Sequence, residues 1–210
     1  WTQQGLAEHA SVASFGRFGL QLMHLGAPPE LLMESARAMA DEIDHARRCF
    51  GLASAYGEKS IAPGSLDTSD PHTVCAHSLL VETFTDGCIN ESMAAAEARL
   101  LADQVIDPEL RKTLEIIAED EARHAALAWK TLRWLIEENP QLRAEMASLW
   151  ATVQSDWSLR LARLAAGAPE PGLEEYGVLD GPGRARLGAS VLAQVIEPCL
   201  RALLESSAND

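Results

Sequence analysis

The chain has 210 residues, of which 47 % are hydrophobic, so it is long and apolar enough to form one domain with a sizeable core. Its 17 basic and 31 acidic side chains give a formal net charge of −14, which disfavours binding to nucleic acid and to anionic membranes. We expect no apolar run long enough to cross a bilayer, and therefore no membrane insertion. The four cysteines show no Cys-x-x-Cys spacing, which argues against a zinc ribbon and gives no disulfide framework.

Six helices are predicted. No strand is predicted, because no segment alternates with the period of a strand over a useful length. Segments rich in glycine and proline separate them. The expected helices cover about residues 1–25, 29–56, 72–105, 108–138, 141–166 and 184–205. The polar stretch at residues 57–71 predicts a long crossover between the second and third helices, and Pro198 is expected to bend the last helix.

The motif Asp-Glu-x-x-His occurs twice, at residues 41–45 in the second helix and at residues 120–124 in the fourth. A Glu and a His three positions apart share one face of an α-helix, about 4.5 Å apart along its axis, so both can bind one metal ion. A single pair of this kind usually lies on a solvated face, but two copies need a common explanation. The best-known use of two is a four-helix bundle that holds two metal ions.

That arrangement requires one more carboxylate from each of the other two helices. Glu8 is predicted to face the motif of the second helix, since both lie at similar distances from the turn near Ala27. Glu91 lies sixteen residues before Asp107 and is therefore level with the motif of the fourth helix. Glu82 would lie roughly 16 Å too far along the axis and on the opposite helix face. We therefore choose Glu91 and expect Glu82 at the surface or outside the ligand set.

All six candidate ligands fall on the apolar seam of their helix, and a surface glutamate has no reason to do so. Four buried carboxylates without compensation would be prohibitively costly. Two divalent cations carry four positive charges and balance them. The predicted ligands of these two metal ions are Glu8, Glu42, His45, Glu91, Glu121 and His124.

These residues resemble the ferritin-like di-iron carboxylate superfamily. The stretches EHASVASF at 8–15 and DEARHAALAW at 120–129 are similar to bacterial, notably myxobacterial, ferritin-like domain proteins. The resemblance covers residues 1–138 and implies an all-α fold, a ferritin-like four-helix bundle with two additional C-terminal helices. We expect a single ferritin-like domain over residues 1–210, with the metal-binding core at 1–138 and the accessory helices at 139–210.

The resemblance also implies roles for residues beside the ligands. Asp41 and Asp120 would orient a ligand histidine across the bundle, and Arg123 would pair with a buried carboxylate. The second helix departs from the pattern, because Asp44 stands where the fourth helix has Arg123.

Two cysteines lie close to predicted ligands along their helices. Cys49 follows His45 by one turn, which resembles the arrangement of the soluble methane-monooxygenase type, where a cysteine stands at the comparable place. A small buried residue that only fills space is the more frequent explanation of a free cysteine. Cys88 precedes Glu91 by one turn and either lines the metal cavity or packs.

The expected function is that of a dinuclear non-haem iron enzyme, an oxidase or oxygenase that uses O2 on a small organic substrate. Two Fe ions are the expected cofactor, with manganese or a mixed pair as the alternative, because carboxylate and imidazole suit both metals. A ferroxidase or peroxide-scavenging protein, with Fe²⁺ or a peroxide as substrate, is the first alternative. A non-catalytic bundle that the metals only stabilise is the second.

The remaining partners and the compartment stay open. No motif identifies the substrate or the electron donor, and a homodimer is compatible with the sequence. The first residue is Trp1, so the chain is expected to be a fragment or a processed product. A cytoplasmic location is the default expectation, and export or lipid anchoring of the full-length protein stays open.

Overall fold

The computed structural model describes residues 1–68 and 74–205, and this part of the chain is all-α, as predicted. A single turn of 3₁₀ helix at Glu174–Tyr176 precedes the last long helix. The predicted start of the third helix, at residue 72, lies outside the described residues. The helices are α1 (Thr2–His24), α2 (Pro29–Gly57), α3 (76–102), α4 (Pro108–Glu138), α5 (Leu142–Ala165) and α6 (Gly181–Glu205).

The chain forms two compact units, Trp1–Leu79 and Leu80–Asp210. The first unit consists mainly of a hairpin in which α1 packs along α2. Gly26 adopts a φ of +74° in the connection, a left-handed conformation that glycine adopts without strain. Pro29 then opens α2, where its missing N–H costs nothing because the first helical N–H groups have no partner within the helix. The expectation of one domain with a four-helix bundle stays a prediction.

The second unit contains a hairpin of α3 and α4, against which the remaining helices pack. Asp107 caps α4, since its carboxylate accepts hydrogen bonds from the backbone N–H groups of Glu109 and Leu110 at 2.8 and 3.3 Å. The fully buried Phe84 packs edge-on against Trp129 of α4 and Trp150 of α5, with ring centroids 6.2 and 6.0 Å apart. Trp129 and Trp150 therefore contact the core through Phe84.

α3 is not α-helical throughout. It runs as Ala76–Glu82, then a π-helical segment Thr83–Asn90, then Glu91–Ala102. π-Helical turns are rare and occur frequently at functional sites. Glu91, a predicted ligand, is the first α-helical residue after the π segment, so the irregular backbone directly determines where this side chain lies.

α6 also contains a π-helical segment, Leu192–Ile196, which lies just before Pro198. The bend that was predicted near Pro198 stays a prediction. Among the described residues, α6 is the helix whose length and composition would allow it to cross a membrane. By length and composition, this helix departs from the expectation that no such segment exists, and the expected absence of membrane insertion stays a prediction. α6 packs against α3 and α5, and a helix within a protein core passes the same test of length and composition, so this alone does not establish a span.

Candidate metal centre

In the first unit, three of the predicted ligands lie together between α1 and α2. We call Glu8, Glu42 and His45 the first triad. One ligand atom from each lies within 4.8 Å of the ligand atoms of the other two. The residues are buried, with exposed fractions of 4 %, 1 % and 0 % respectively. Glu8 lies nineteen residues before Ala27 and Glu42 lies fifteen residues after it, so the hairpin brings Glu8 level with the motif on α2.

The distances within the first triad suit a shared metal ion. His45 Nδ1 lies 3.8 Å from Glu8 Oε2 and 3.9 Å from Glu42 Oε2. Hydrogen bonds between such atoms are about 2.7–3.2 Å long. Ligands bound to one ion at about 2.1 Å lie about 3.0–4.2 Å from one another, depending on the angle between them. The spacing of this triad therefore matches that of ligands around an ion.

Charge points to the same conclusion. Two buried carboxylates surround one imidazole, which can contribute at most one positive charge. Buried charges are costly unless they are paired or bind a metal. A divalent cation balances both carboxylates and leaves His45 free to act as a neutral ligand. The donor set of the first triad therefore fits a divalent metal ion.

The second unit holds the other three predicted ligands between α3 and α4. We call Glu91, Glu121 and His124 the second triad. One ligand atom from each again lies within 4.8 Å of the ligand atoms of the other two. His124 Nδ1 lies 3.8 Å from Glu91 Oε2 and 3.3 Å from Glu121 Oε2. Glu121 and His124 are buried, whereas the Glu91 side chain is 15 % exposed.

The second triad has the same donors as the first, two carboxylates and one imidazole, and the chemical argument for a divalent ion applies again. The choice of Glu91 over Glu82 agrees with this geometry, because Glu91 belongs to the group of side chains that could hold an ion. Whether the two triads form one dinuclear site stays a prediction.

The ion pairs of Arg123 and Asp44 can be compared with the roles that were predicted beside the ligands. Arg123 pairs with Asp120 of its own helix at 2.5 Å, and half of the Arg123 side chain is exposed. Its predicted partner was a buried carboxylate, and the Asp120 side chain is mostly buried, at 14 % exposed. Asp44 forms ion pairs with Arg47 and Arg48 of its own helix. The role of Asp41 and Asp120 in orienting a ligand histidine stays a prediction.

Both cysteines near the triads are buried. Burial raises the pKa of the Cys88 thiol well above its ordinary value, and the neighbouring Cys199 adds to this shift. A thiol of this kind stays protonated at neutral pH and is a poor nucleophile and metal ligand. Whether Cys88 lines a metal cavity or only packs stays a prediction. Cys49, which has no exposed surface, lies one turn after His45 on the same helix.

One residue that the sequence pattern did not predict contacts the first triad. Gln4 lies one turn before Glu8 on α1, and its side-chain amide donates a hydrogen bond of 2.5 Å to Glu8 Oε1. The signal was present, because side chains four positions apart on a helix are neighbours. It was overlooked because a polar residue on an exposed helix face usually has no function.

A buried hydroxyl group on α3 was also not predicted. Thr83, the first residue of the π segment, is buried, and its Oγ1 has no hydrogen-bond partner among the described residues. Thr85 and Thr131 of the same hairpin instead donate to the backbone carbonyls of Val81 and Leu127. No sequence signal distinguishes these threonines, because the difference arises from the local backbone.

Comparisons with known proteins do not decide the family. No protein-family model, no curated protein and no solved structure matches the chain. The resemblance to ferritin-like proteins therefore stays a prediction, which rests on the motifs and on the two triads.

Proposed function

We propose that the protein is a dinuclear non-haem iron protein that uses O2 to oxidise a small organic substrate. The observation that carries the proposal is that each triad assembles two carboxylates and one histidine at the spacing of ligands around one ion. Ferritin-like di-iron and di-manganese proteins use this donor set twice, as two Glu-x-x-His pairs and two further glutamates. The repeat of the motif supports one centre with two ions.

The ligand set favours iron or manganese without separating them. Glu8, Glu42 and His45 would hold one ion and Glu91, Glu121 and His124 the other, and bound Fe²⁺ would supply electrons for the reduction of O2. The chain contributes burial and charge. Glu42 and His45 are shielded from water, and the carboxylates of both triads favour divalent over monovalent cations. The substrate and the electron donor are not identified by these residues.

A second candidate function is that of a ferroxidase, in which Fe²⁺ itself is the substrate. The partial exposure of Glu91 favours it, since a ligand that reaches solvent offers an ion a route to exchange. A net charge of −14 attracts cations to the protein as a whole. The two candidates differ in turnover, because a ferroxidase consumes added Fe²⁺ repeatedly and releases or stores the product.

Metal analysis tests the proposal first. Protein purified after iron supplementation should contain two irons per chain, and His45→Ala and His124→Ala should each lose metal. His24→Ala is the matched control, since His24 is exposed at the end of α1. Loss of bound iron in the control, or full retention in both ligand variants, would exclude the assignment of the triads.

Two further measurements separate the functional alternatives. Exchange coupling between two Mn²⁺ ions, detected by electron paramagnetic resonance, is expected only if the ions share one centre. O2 consumption by the reduced protein without added Fe²⁺ favours an oxidase or oxygenase, whereas consumption in proportion to added Fe²⁺ favours a ferroxidase. Metal binding that stabilises the fold without any O2 consumption would favour the non-catalytic bundle.

A further inference from the structure

We propose that Gln4 is a positioning residue of the metal centre and makes the first triad the tighter of two unequal metal positions. This inference rests on the proposed function, because it presumes that both triads bind metal. It is carried by the hydrogen bond from the Gln4 amide to Glu8 and by the absence of any side chain at the corresponding place on α3.

The two carboxylate oxygens of Glu8 have different neighbours. Oε1 accepts from the Gln4 amide at 2.5 Å, whereas Oε2 lies 3.8 Å from His45 Nδ1. A carboxylate held in this way presents one oxygen to the ion in a fixed direction. Metal-ligating side chains generally depend on such partners, which set the orientation of the ligand. Gln4 reduces the conformational freedom that Glu8 would lose when it binds the ion.

Glu91 of the second triad cannot receive such a bond from the position that corresponds to Gln4. The residue four positions before Glu91 is Gly87, which has no side chain. A Cβ atom at Gly87 would lie 2.5 Å from the Cβ of Ala128, far closer than real Cβ atoms approach one another. The packing of α3 against α4 therefore excludes any side chain at this place, and the difference between the triads is built into the fold.

The distances between the histidine and the glutamate of each motif also favour the first triad as the tighter metal position. His124 Nδ1 lies 3.3 Å from Glu121 Oε2, which is a long hydrogen bond. The corresponding atoms of the first triad, His45 Nδ1 and Glu42 Oε2, lie 3.9 Å apart. An ion that enters the second triad must replace the hydrogen bond between His124 and Glu121, whereas His45 and Glu42 lie too far apart for such a bond. The first triad should therefore fill first.

The test is a titration of the metal-free protein with Co²⁺, whose visible absorption reports the coordination of each bound ion. The wild-type protein should bind two ions in two distinguishable steps. His124→Gln isolates the first triad and His45→Gln isolates the second. Each isolated triad should bind one ion, and the tighter step should remain in the His124→Gln variant.

The deciding variant is Gln4→Met, which keeps the length of the side chain and removes the donor. In the His124→Gln background it should weaken Co²⁺ binding by about 10–100-fold and change the absorption spectrum. In the His45→Gln background it should change neither the affinity nor the spectrum. Gln3→Met is the matched control, since Gln3 is the exposed neighbour of Gln4 and should leave both steps unchanged.

Equal losses of affinity in the two backgrounds, or no loss in either, would overturn the role of Gln4. Tighter binding in the isolated second triad would overturn the order of filling. Failure of the wild-type protein to bind any Co²⁺ would instead refute the proposed function, and the inference with it. Far-ultraviolet circular dichroism of each variant should show unchanged helix content, because Gln4 lies on the exposed face of α1.

Discussion

Gly87 of α3 and Ala128 of α4 approach so closely that a Cβ atom at Gly87 would lie 2.5 Å from the Cβ of Ala128. Neither backbone can give way cheaply, because both residues belong to long packed helices. We expect Gly87→Ala to destabilise the protein by about 1–3 kcal/mol, the usual cost of overpacking, in denaturant unfolding. Because Gly87 and Ala128 each lie four residues from a ligand of the second triad, metal binding there should weaken as well.

Gly51→Ala is the matched control for this prediction. Gly51 lies within α2, and a Cβ atom there would meet nothing within 4 Å. Replacing a helical glycine by alanine in open space stabilises by about 0.5–1 kcal/mol, since alanine loses less backbone entropy. Opposite signs for the two glycines would show that the cost at Gly87 comes from the contact with Ala128. A Gly87→Ala protein as stable as the wild type would contradict the close approach.

The buried hydroxyl of Thr83 gives a prediction of the opposite sign. Its Oγ1 has no partner among the described residues, and an unsatisfied buried hydroxyl costs about 1–3 kcal/mol. Thr83→Val keeps the shape and removes the hydroxyl, so we expect it to raise the free energy of unfolding by an amount within this range. Thr131→Val should instead lower it by about 1 kcal/mol, because Thr131 donates to the Leu127 carbonyl at 3.0 Å. Destabilisation by Thr83→Val would mean that the hydroxyl binds an ordered water or ligand.

The sequence predicts the helices and the members of each triad because both follow from local rules. The spacing of Glu42 and His45 places them on one face of α2, independently of the tertiary structure. Glu8 and Glu91 were placed by counting from a turn, which works for hairpins with short connections. The π segment at Thr83–Asn90, in which Gly87 lies close to Ala128, follows no local rule of spacing or capping.

The metal-free and metal-bound states should respond oppositely to the loss of one buried charge. Glu42 is 1 % exposed in the first triad, so Glu42→Gln removes a buried negative charge at nearly constant volume. We expect the metal-free protein to gain stability on the order of 1 kcal/mol. The metal-bound protein should lose stability, because an ion at 100 times its dissociation constant contributes about 2.7 kcal/mol that weaker binding forfeits.

Thermal unfolding with EDTA and with Mn²⁺ measures both effects. Glu115→Gln is the control, because Glu115 is exposed on α4 and should change neither state by more than a few tenths of a kcal/mol. If Glu42→Gln shifted both states in the same direction, Glu42 would have a structural role that does not involve a metal ion.

The cap of α6 predicts a dependence of stability on pH. Asp180 accepts hydrogen bonds from the backbone N–H groups of Gly183 at 2.6 Å and Glu170 at 3.1 Å, and these bonds lower the pKa of its carboxyl group. A group whose pKa is lower in the folded protein stabilises it above the unfolded pKa, and this contribution is lost as the pH falls through the folded value. Asp180→Asn should therefore be less stable than the wild type at pH 6, and the difference should shrink as the pH falls below the ordinary pKa of 3.8.

Denaturant unfolding between pH 6 and pH 3 measures this difference in stability, with the exposed Asp156→Asn as the control that should show no such trend. A difference that stays constant over this range would mean that the amide loses packing or geometry, rather than the charge that the two backbone donors hold.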